Sequence, residues 1–184
     1  MHREVTFAGF GGQGILLAAK LLAQAGMDEG REVVWLPSYG PEMRGGTAYC
    51  NVVISDKPIG SPVFSSPSAA VVMNRPSLDK FGPIVKKDGL LIINSSLIDI
   101  TSDRDDIEIV LVPCNEIAME LGTGKAANMV ALGSYVGHTG AVEKETALRM
   151  IEQNFTKKPK VIDVNLHAFE HGYKRAEEAA KRSR

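Results

Sequence analysis

The sequence is poor in cysteine, almost without net charge and without long apolar runs, and each scarcity closes off a class of function. Its two cysteines, Cys50 and Cys114, cannot supply the four thiolates of an iron–sulfur cluster or a structural zinc site. Lys and Arg total 21 against 22 Asp and Glu, so no global field draws the chain to nucleic acid or to an anionic membrane. No apolar stretch reaches ~18 residues without a charge, which argues against a membrane span. Met1-His2-Arg3-Glu4 leads into a strand rather than an apolar leader segment, and the expected compartment is the cytoplasm, with both thiols reduced. A Gly-x-Ser-x-Gly elbow is missing, and neither cysteine stands in a nucleophile context, so no catalytic residue is assigned. Gly122-Thr123-Gly124-Lys125 resembles the end of a Walker loop, but Met119 and Ala126 stand where that loop needs glycine and a hydroxyl. His167 and His171 share a helix face without an evident third ligand, so no metal site is assigned.

What the chain does have is an alternation of apolar runs and helical patterns. Residues 5–9 read as a strand, Ile15 to Glu29 as a helix with a narrow polar stripe at Lys20, Gln24 and Asp28, and Glu32 to Leu36 as a second strand. Gly30 stops the helix. Residues 47–54 alternate, which suits a strand with one wetter face outside the central parallel region; it offers either an edge to a partner or, more ordinarily, a covered strand. Residues 60–68 read as an extended loop. The apolar runs at 69–73, 90–93 and 107–112 suit strands covered on both faces. The last third reads as helices: Asn115 capping a segment to Leu121, then 126–136, 143–155 and one from about Val161. The expected fold is α/β: a three-layer αβα domain with a mostly parallel, Rossmann-like sheet and a helical C-terminal third, spanning 1–184 as a single domain.

Two glycine-framed loops carry the functional signal. Gly9, Gly11 and Gly14 fit G-x-G-x-x-G between a strand and a helix; with Gly12 they leave bare amides at a helix start, where an anion is favoured. A turn needed only for tight strand–helix packing would look the same. Gln13 could bond a ligand or fasten a neighbouring loop. The second loop, Ser38-Tyr39-Gly40-Pro41-Glu42-Met43-Arg44-Gly45-Gly46, offers one guanidinium flanked by glycines, suited to a phosphate or to local pairing with Glu42. Both loops follow strands of an open sheet and so face one crevice. Asn74-Arg75-Pro76-Ser77 could line that crevice or serve as a plain helix start with Ser77 capping. The second strand ends without a carboxylate, which disfavours a nicotinamide or flavin dinucleotide. The absence of Gly-Asp-Gly removes the usual diphosphate–magnesium element of thiamine enzymes.

Taken together, residues 7–14, 38–48 and 73–81 resemble the gamma subunit of the 2-oxoacid:ferredoxin oxidoreductases, which oxidatively decarboxylate pyruvate, 2-oxoglutarate or branched-chain oxoacids such as ketoisovalerate to acyl-coenzyme A. The resemblance covers nearly the whole chain. It implies a multi-subunit complex with alpha, beta and delta partners and, through the complex, ferredoxin. Thiamine diphosphate, magnesium and iron–sulfur clusters would sit on those partners, and coenzyme A would contact this chain. Carried over residue by residue, Gly9, Gly11, Gly12, Gln13, Gly14, Tyr39, Gly40, Arg44, Gly45, Gly46 and Asn74 are the candidate contacts, or else they build the subunit interface. The run Pro41-Glu42-Met43-Arg44 looks more like the 2-oxoglutarate or branched-chain groups than the pyruvate group. Two rivals stand beside this reading: a stand-alone nucleotide-binding oxidoreductase, and an assembly module that binds no ligand. Homo-oligomerisation is left open.

Overall fold

Buried β-branched runs form the centre of one six-stranded sheet, and longer amphipathic stretches cover it. The computed structural model describes residues 1–38 and 47–182. The elements are β1 (His2–Phe10), α1 (Ile15–Asp28), β2 (Glu32–Ser38), β3 (Thr47–Ser55), β4 (Ala69–Val72), α2 (Arg75–Phe81), β5 (Leu90–Asn94), β6 (Glu108–Val112), α3 (Cys114–Glu120), α4 (Ala127–Thr139), α5 (Lys144–Asn154) and α6 (Ile162–Arg182). The spatial strand order is β2-β3-β1-β4-β5-β6. Three ladders, β1–β4, β4–β5 and β5–β6, are parallel; β3 runs antiparallel to both of its neighbours.

The mixed α/β architecture with its helical last third is the one expected, with two differences of detail. β1 and β2 point the same way but are not neighbours, because β3 lies between them. The alternating pattern of β3 therefore marks an inner antiparallel strand. Its wetter face is roofed rather than free: Tyr49 meets the Phe81 ring at 5.1 Å, and Lys80 Nζ lies 4.6 Å from the Tyr49 ring centre. The second difference is β6. Its apolar run suggested cover on both faces, yet it is the sheet edge, and Leu111 is 51% exposed.

The three layers are unequal. One face of the sheet carries the larger core, to which α1, α3, α4, α5 and α6 contribute. The other face carries a smaller one built from Ala8, Ala70, Val72, Leu91 and Ile93 under Leu78 and Phe81 of α2. Helices α4 and α6 cross so closely that side chains are excluded at the contact. A Cβ on Gly133 would collide with the Phe169 carbonyl, and one on Gly172 with the Val130 carbonyl. At the far end of α1, Glu29 accepts from the Glu143 amide at 2.7 Å and Arg31 donates to the Ala141 carbonyl at 2.9 Å, which fixes the start of α5.

The C-terminal ends of β1, β4, β5 and β6 share one edge of the sheet with that of β2, and the N-terminal ends share the opposite edge. Helix α4 spans the distance between these edges. Its first turn reaches Gly14 through Asn128, and its last residue meets Arg3 of β1.

Candidate functional site

The loop leaving β1 at the carboxyl edge turns on two glycines in left-handed conformation, Gly12 at φ 93° and Gly14 at φ 74°. Gly14 also stands at the N-cap of α1, which has no side-chain cap. The amides of Gly11, Gly12 and Gly14 have no acceptor among the described residues, and Gly11 and Gly12 are exposed. Unpaired amides at the start of a fourteen-residue helix make a suitable seat for an anion.

The other candidates at this edge hold the loop in shape. Gly9 lies within β1, and a Cβ there would press on Gln13 Oε1 at 2.7 Å and on Met73 at 3.1 Å. Gln13 occupies that space: its Oε1 accepts from the Phe10 amide at 2.6 Å and from Asn74 Nδ2 at 3.3 Å, while its Nε2 donates to the Met73 carbonyl at 3.1 Å. Of the two roles open to Gln13, fastening a neighbouring loop is the one these bonds perform. Asn74 is buried and caps α2 by accepting from the Ser77 amide at 2.9 Å; the cap is Asn74, not Ser77. Tyr39, Gly40, Arg44, Gly45 and Gly46 lie outside the described residues.

Two cavities flank the glycine turn and share Gly14 and Leu17. One, of about 280 Å³, is lined by Phe10, Gly11, Gly12, Ile15, Leu16 and Ala48. The other, of about 310 Å³, runs under the start of α4, where Leu17, Phe155, Val161 and Val164 give apolar walls and Lys125, Lys158, Asn128 and Asn165 the polar groups. Asn128 is 4% exposed; its Nδ2 donates to the Gly14 carbonyl at 3.0 Å, and its buried Oδ1 has no hydrogen-bond partner among the described residues. A buried acceptor left open at a cavity wall calls for a donor from a ligand or from water.

Asn128, Lys125 and Lys158 were not among the residues singled out from the sequence. The signal for Asn128 was present: one amide side chain in the otherwise apolar run Ala126 to Leu132. Lys125 belongs to the segment that failed as a Walker loop; here Thr123 Oγ1 accepts from the Lys125 amide at 3.2 Å and starts a short 3-10 turn into α4. Asn94 was also missed. It is buried and ties β5 to α3, accepting from the Cys114 amide at 3.1 Å and donating to Asn115 Oδ1 at 2.8 Å. Asn115 is thus not the cap of α3; it lies in the first turn, whose amides at 115 and 116 donate to Ser96 Oγ at 3.1 and 3.2 Å.

Both cysteines are buried, and loss of solvent pushes each thiol up to about 12, so both remain protonated and apolar in behaviour. These donors do not suit an iron–sulfur cluster. His167 and His171 are exposed on α6. Among the described residues no helix is long and apolar enough to cross a membrane.

Comparison with known proteins follows the same lines. The sequence profile of the pyruvate ferredoxin/flavodoxin oxidoreductase family matches residues 4–175. Ketoisovalerate oxidoreductase subunit VorA of Methanothermobacter marburgensis is 44% identical over 92% of this chain, which spans only 35% of that relative. The chain thus covers about a third of the length of the VorA relatives it matches. 2-Oxoglutarate synthase subunit KorC of Methanocaldococcus jannaschii is 34% identical over 97% of this chain and 96% of its own length. Among solved structures, the gamma subunit of a keto/oxoacid ferredoxin oxidoreductase from Geobacter sulfurreducens superposes with a TM-score of 0.81 at 31% identity, covering 95% of this chain and 98% of its own. The 2-oxoglutarate:ferredoxin oxidoreductase from Magnetococcus marinus, with 2-oxoglutarate, coenzyme A and succinyl-CoA bound, shares the fold at a TM-score of 0.88 and 23% identity, over 96% of this chain and 31% of that one. By profile, sequence and fold, the chain belongs to the pyruvate ferredoxin/flavodoxin oxidoreductase family.

Proposed function

We propose that residues 1–184 act as one gamma-type domain in a multi-subunit 2-oxoacid:ferredoxin oxidoreductase, where they hold coenzyme A at the carboxyl edge of the sheet and help close the subunit interface. One observation carries this reading: the amides of Gly11, Gly12 and Gly14, without an acceptor among the described residues, open between two cavities, one of which is lined by Lys125 and Lys158. Coenzyme A carries a 3′-phosphate and a pyrophosphate, which suit amides and lysines, and a pantetheine arm with amide N–H groups. Asn128 Oδ1, open at the apolar wall, would accept from such an amide. Arg44 is the sequence-based candidate for a further phosphate contact.

The chain's own part is binding and orientation; decarboxylation and electron transfer belong to thiamine diphosphate, magnesium and iron–sulfur clusters on the alpha, beta and delta partners, with ferredoxin as acceptor. Two buried thiols give no ligand set for such a cluster here. The higher identity to a ketoisovalerate relative than to a 2-oxoglutarate relative supports a branched-chain oxoacid as the substrate of the complex.

The test uses the native complex. Arg44→Ala and Lys125→Ala should each raise the KM for coenzyme A about tenfold, with the KM for the 2-oxoacid unchanged, if each removes one charge-assisted contact. An unchanged KM for coenzyme A in a complex that still assembles would leave the assembly-module reading in its place. Turnover with NAD(H), NADP(H) or a flavin by this chain alone would instead favour the stand-alone oxidoreductase. A panel of branched-chain oxoacids, 2-oxoglutarate and pyruvate compared by kcat/KM decides the substrate.

A further inference from the structure

The amino edge of the sheet, opposite the glycine loop, holds a third cavity that the proposed reaction does not use. It is about 240 Å³ in volume and lies among the first residues of β1, β4, β5 and β6 and the last turn of α4. Its deep wall is made by Arg3, Tyr135 and His138. Tyr135 is fully buried, the His138 side chain is 4% exposed, and both border the cavity.

Among the described residues, three buried polar atoms on this wall make no hydrogen bond of ordinary length: Arg3 Nε, the Tyr135 hydroxyl, which has only the Thr139 side chain within longer reach, and His138 Nε2, which faces Glu108 Oε1 at 3.7 Å. The neighbouring groups are already engaged. Arg3 Nη2 donates to the Thr139 carbonyl at 3.3 Å, and Thr139 Oγ1 donates to the Tyr135 carbonyl at 2.7 Å and accepts from the Ala141 amide at 3.2 Å. His138 Nδ1 faces the Ser134 carbonyl at 3.1 Å, which can only accept, so Nδ1 carries a hydrogen. Burial pushes the Tyr135 phenol up to about 12, so it stays an O–H donor.

Buried polar atoms ordinarily make close hydrogen bonds, and three that lack one on a single cavity wall point to an occupant. A water molecule's share of liquid volume is about 30 Å³, so the space holds more than one. The charge pattern narrows the choice. The deep wall has a permanent cation in Arg3 and no carboxylate; the exposed rim sets Lys86 and Lys87 against Asp88 and Glu108, with Glu108 Oε1 3.7 Å from His138 Nε2. Lys86 is paired with Glu4. The carbonyl end of α4 opposes a negative occupant, but Arg3 already covers the carbonyl of Thr139.

We propose that this cavity is a binding site for a small oxyanion, phosphate or carboxylate in chemistry, held by Arg3, Tyr135 and His138. Arg3 Nε–H and Tyr135 O–H donate to its oxygens. Neutral His138 accepts an acidic hydroxyl of the ligand at Nε2, and protonated His138 donates there. The site is independent of the coenzyme A reading, since it shares no residue with the carboxyl-edge cavities.

The test is calorimetric titration of inorganic phosphate, and separately of acetate, into the native protein. Saturable binding of at least one of them is expected, and the pair tells a phosphate site from a carboxylate site. Arg3→Gln should weaken it about tenfold, and Tyr135→Phe several-fold. Tyr135→Phe removes one oxygen from a well-packed ring and keeps the proposal testable if Arg3→Gln does not accumulate. In anion-free buffer this variant should melt close to the parent, because the hydroxyl it deletes makes no hydrogen bond of ordinary length; added phosphate or acetate should then raise its melting temperature less than the parent's. No saturable binding of either ion, or binding abolished by Lys125→Ala and untouched by Arg3→Gln, overturns the site.

Discussion

The two edges of the sheet solve the problem of buried polar groups in opposite ways. At the carboxyl edge the side chains satisfy one another: Gln13, Asn74 and Asn94 direct their amides to the loop backbone, to the starts of α2 and α3 and to Asn115. What stays open there is mostly backbone, in the turn through Gly11 to Gly14, with Asn128 Oδ1 beside it. At the amino edge the backbone is engaged, with the Asp88 amide bonded to the Asp106 carbonyl and the Glu108 amide to that of Gly89, and side-chain atoms are left open. A backbone cradle survives most substitutions except at its glycines, whereas a side-chain cavity can be emptied one residue at a time.

The largest expected effect breaks both edges together. Gly133→Ala places a methyl group against the Phe169 carbonyl and forces α4 off α6. The loss should reach or exceed the upper end of the roughly 1–3 kcal/mol typical of overpacking, read by chemical denaturation, with ligand binding lost at each edge. Equal binding at both ends after this change would mean that α4 does not connect them. Next comes Gly14→Ala, which combines a left-handed backbone with a collision against Asn128 and should cost about 1–2 kcal/mol. Its KM for coenzyme A should rise while oxyanion binding at Arg3 is unchanged. Gln13→Ala should cost about 1–2 kcal/mol by freeing the Phe10 amide and the Met73 carbonyl. Amide exchange should quicken at Phe10 and not at Asp88.

The smallest effect concerns acid. The hydrogen bond from Arg104 holds the Asp106 carboxyl below its ordinary value. A folded pKa lower than the unfolded one stabilises above the unfolded carboxylate range, about 3.9, and that contribution fades as pH falls through the lower folded value. Arg104 also donates to the Val85 carbonyl at 2.6 Å and to that of Pro83 at 3.2 Å, so acid should loosen the Lys86–Gly89 turn before the glycine loop. The pair is exposed and the effect slight. Exchange at the Asp88 amide followed from pH 6 to 3, against Asp106→Asn, checks it; no acid-dependent difference between the two proteins would detach the pair from the turn.

Much of this arrangement is legible along the chain. The Gly9–Gly14 turn announces a strand feeding a helix, but of the spaced glycines Gly9, Gly11 and Gly14 only Gly14 is left-handed, the turn's other left-handed residue being Gly12. Gly122, at φ 94°, ends α3 as a helix-stopping glycine should. The roles of Asn94, Ser96 and Asn115 were hidden, because a cap supplied from another strand leaves no local pattern. Asn128 stood out as one amide in an apolar run, but its partner did not, since Gly14 lies 114 residues away.

Local chemistry by itself determined the elements, the class of the fold and the anion-friendly turn, since helix period, β-branched runs and glycine conformations act over a few residues. Only the tertiary structure decided that β3 separates β1 from β2, that β6 is an edge, and that Gly133 and Gly172 admit no side chain. It alone brought Arg3, Tyr135 and His138 to one wall. Such facts depend on which distant segments meet, and that is set by the packing of the whole core rather than by the preferences of any stretch within it.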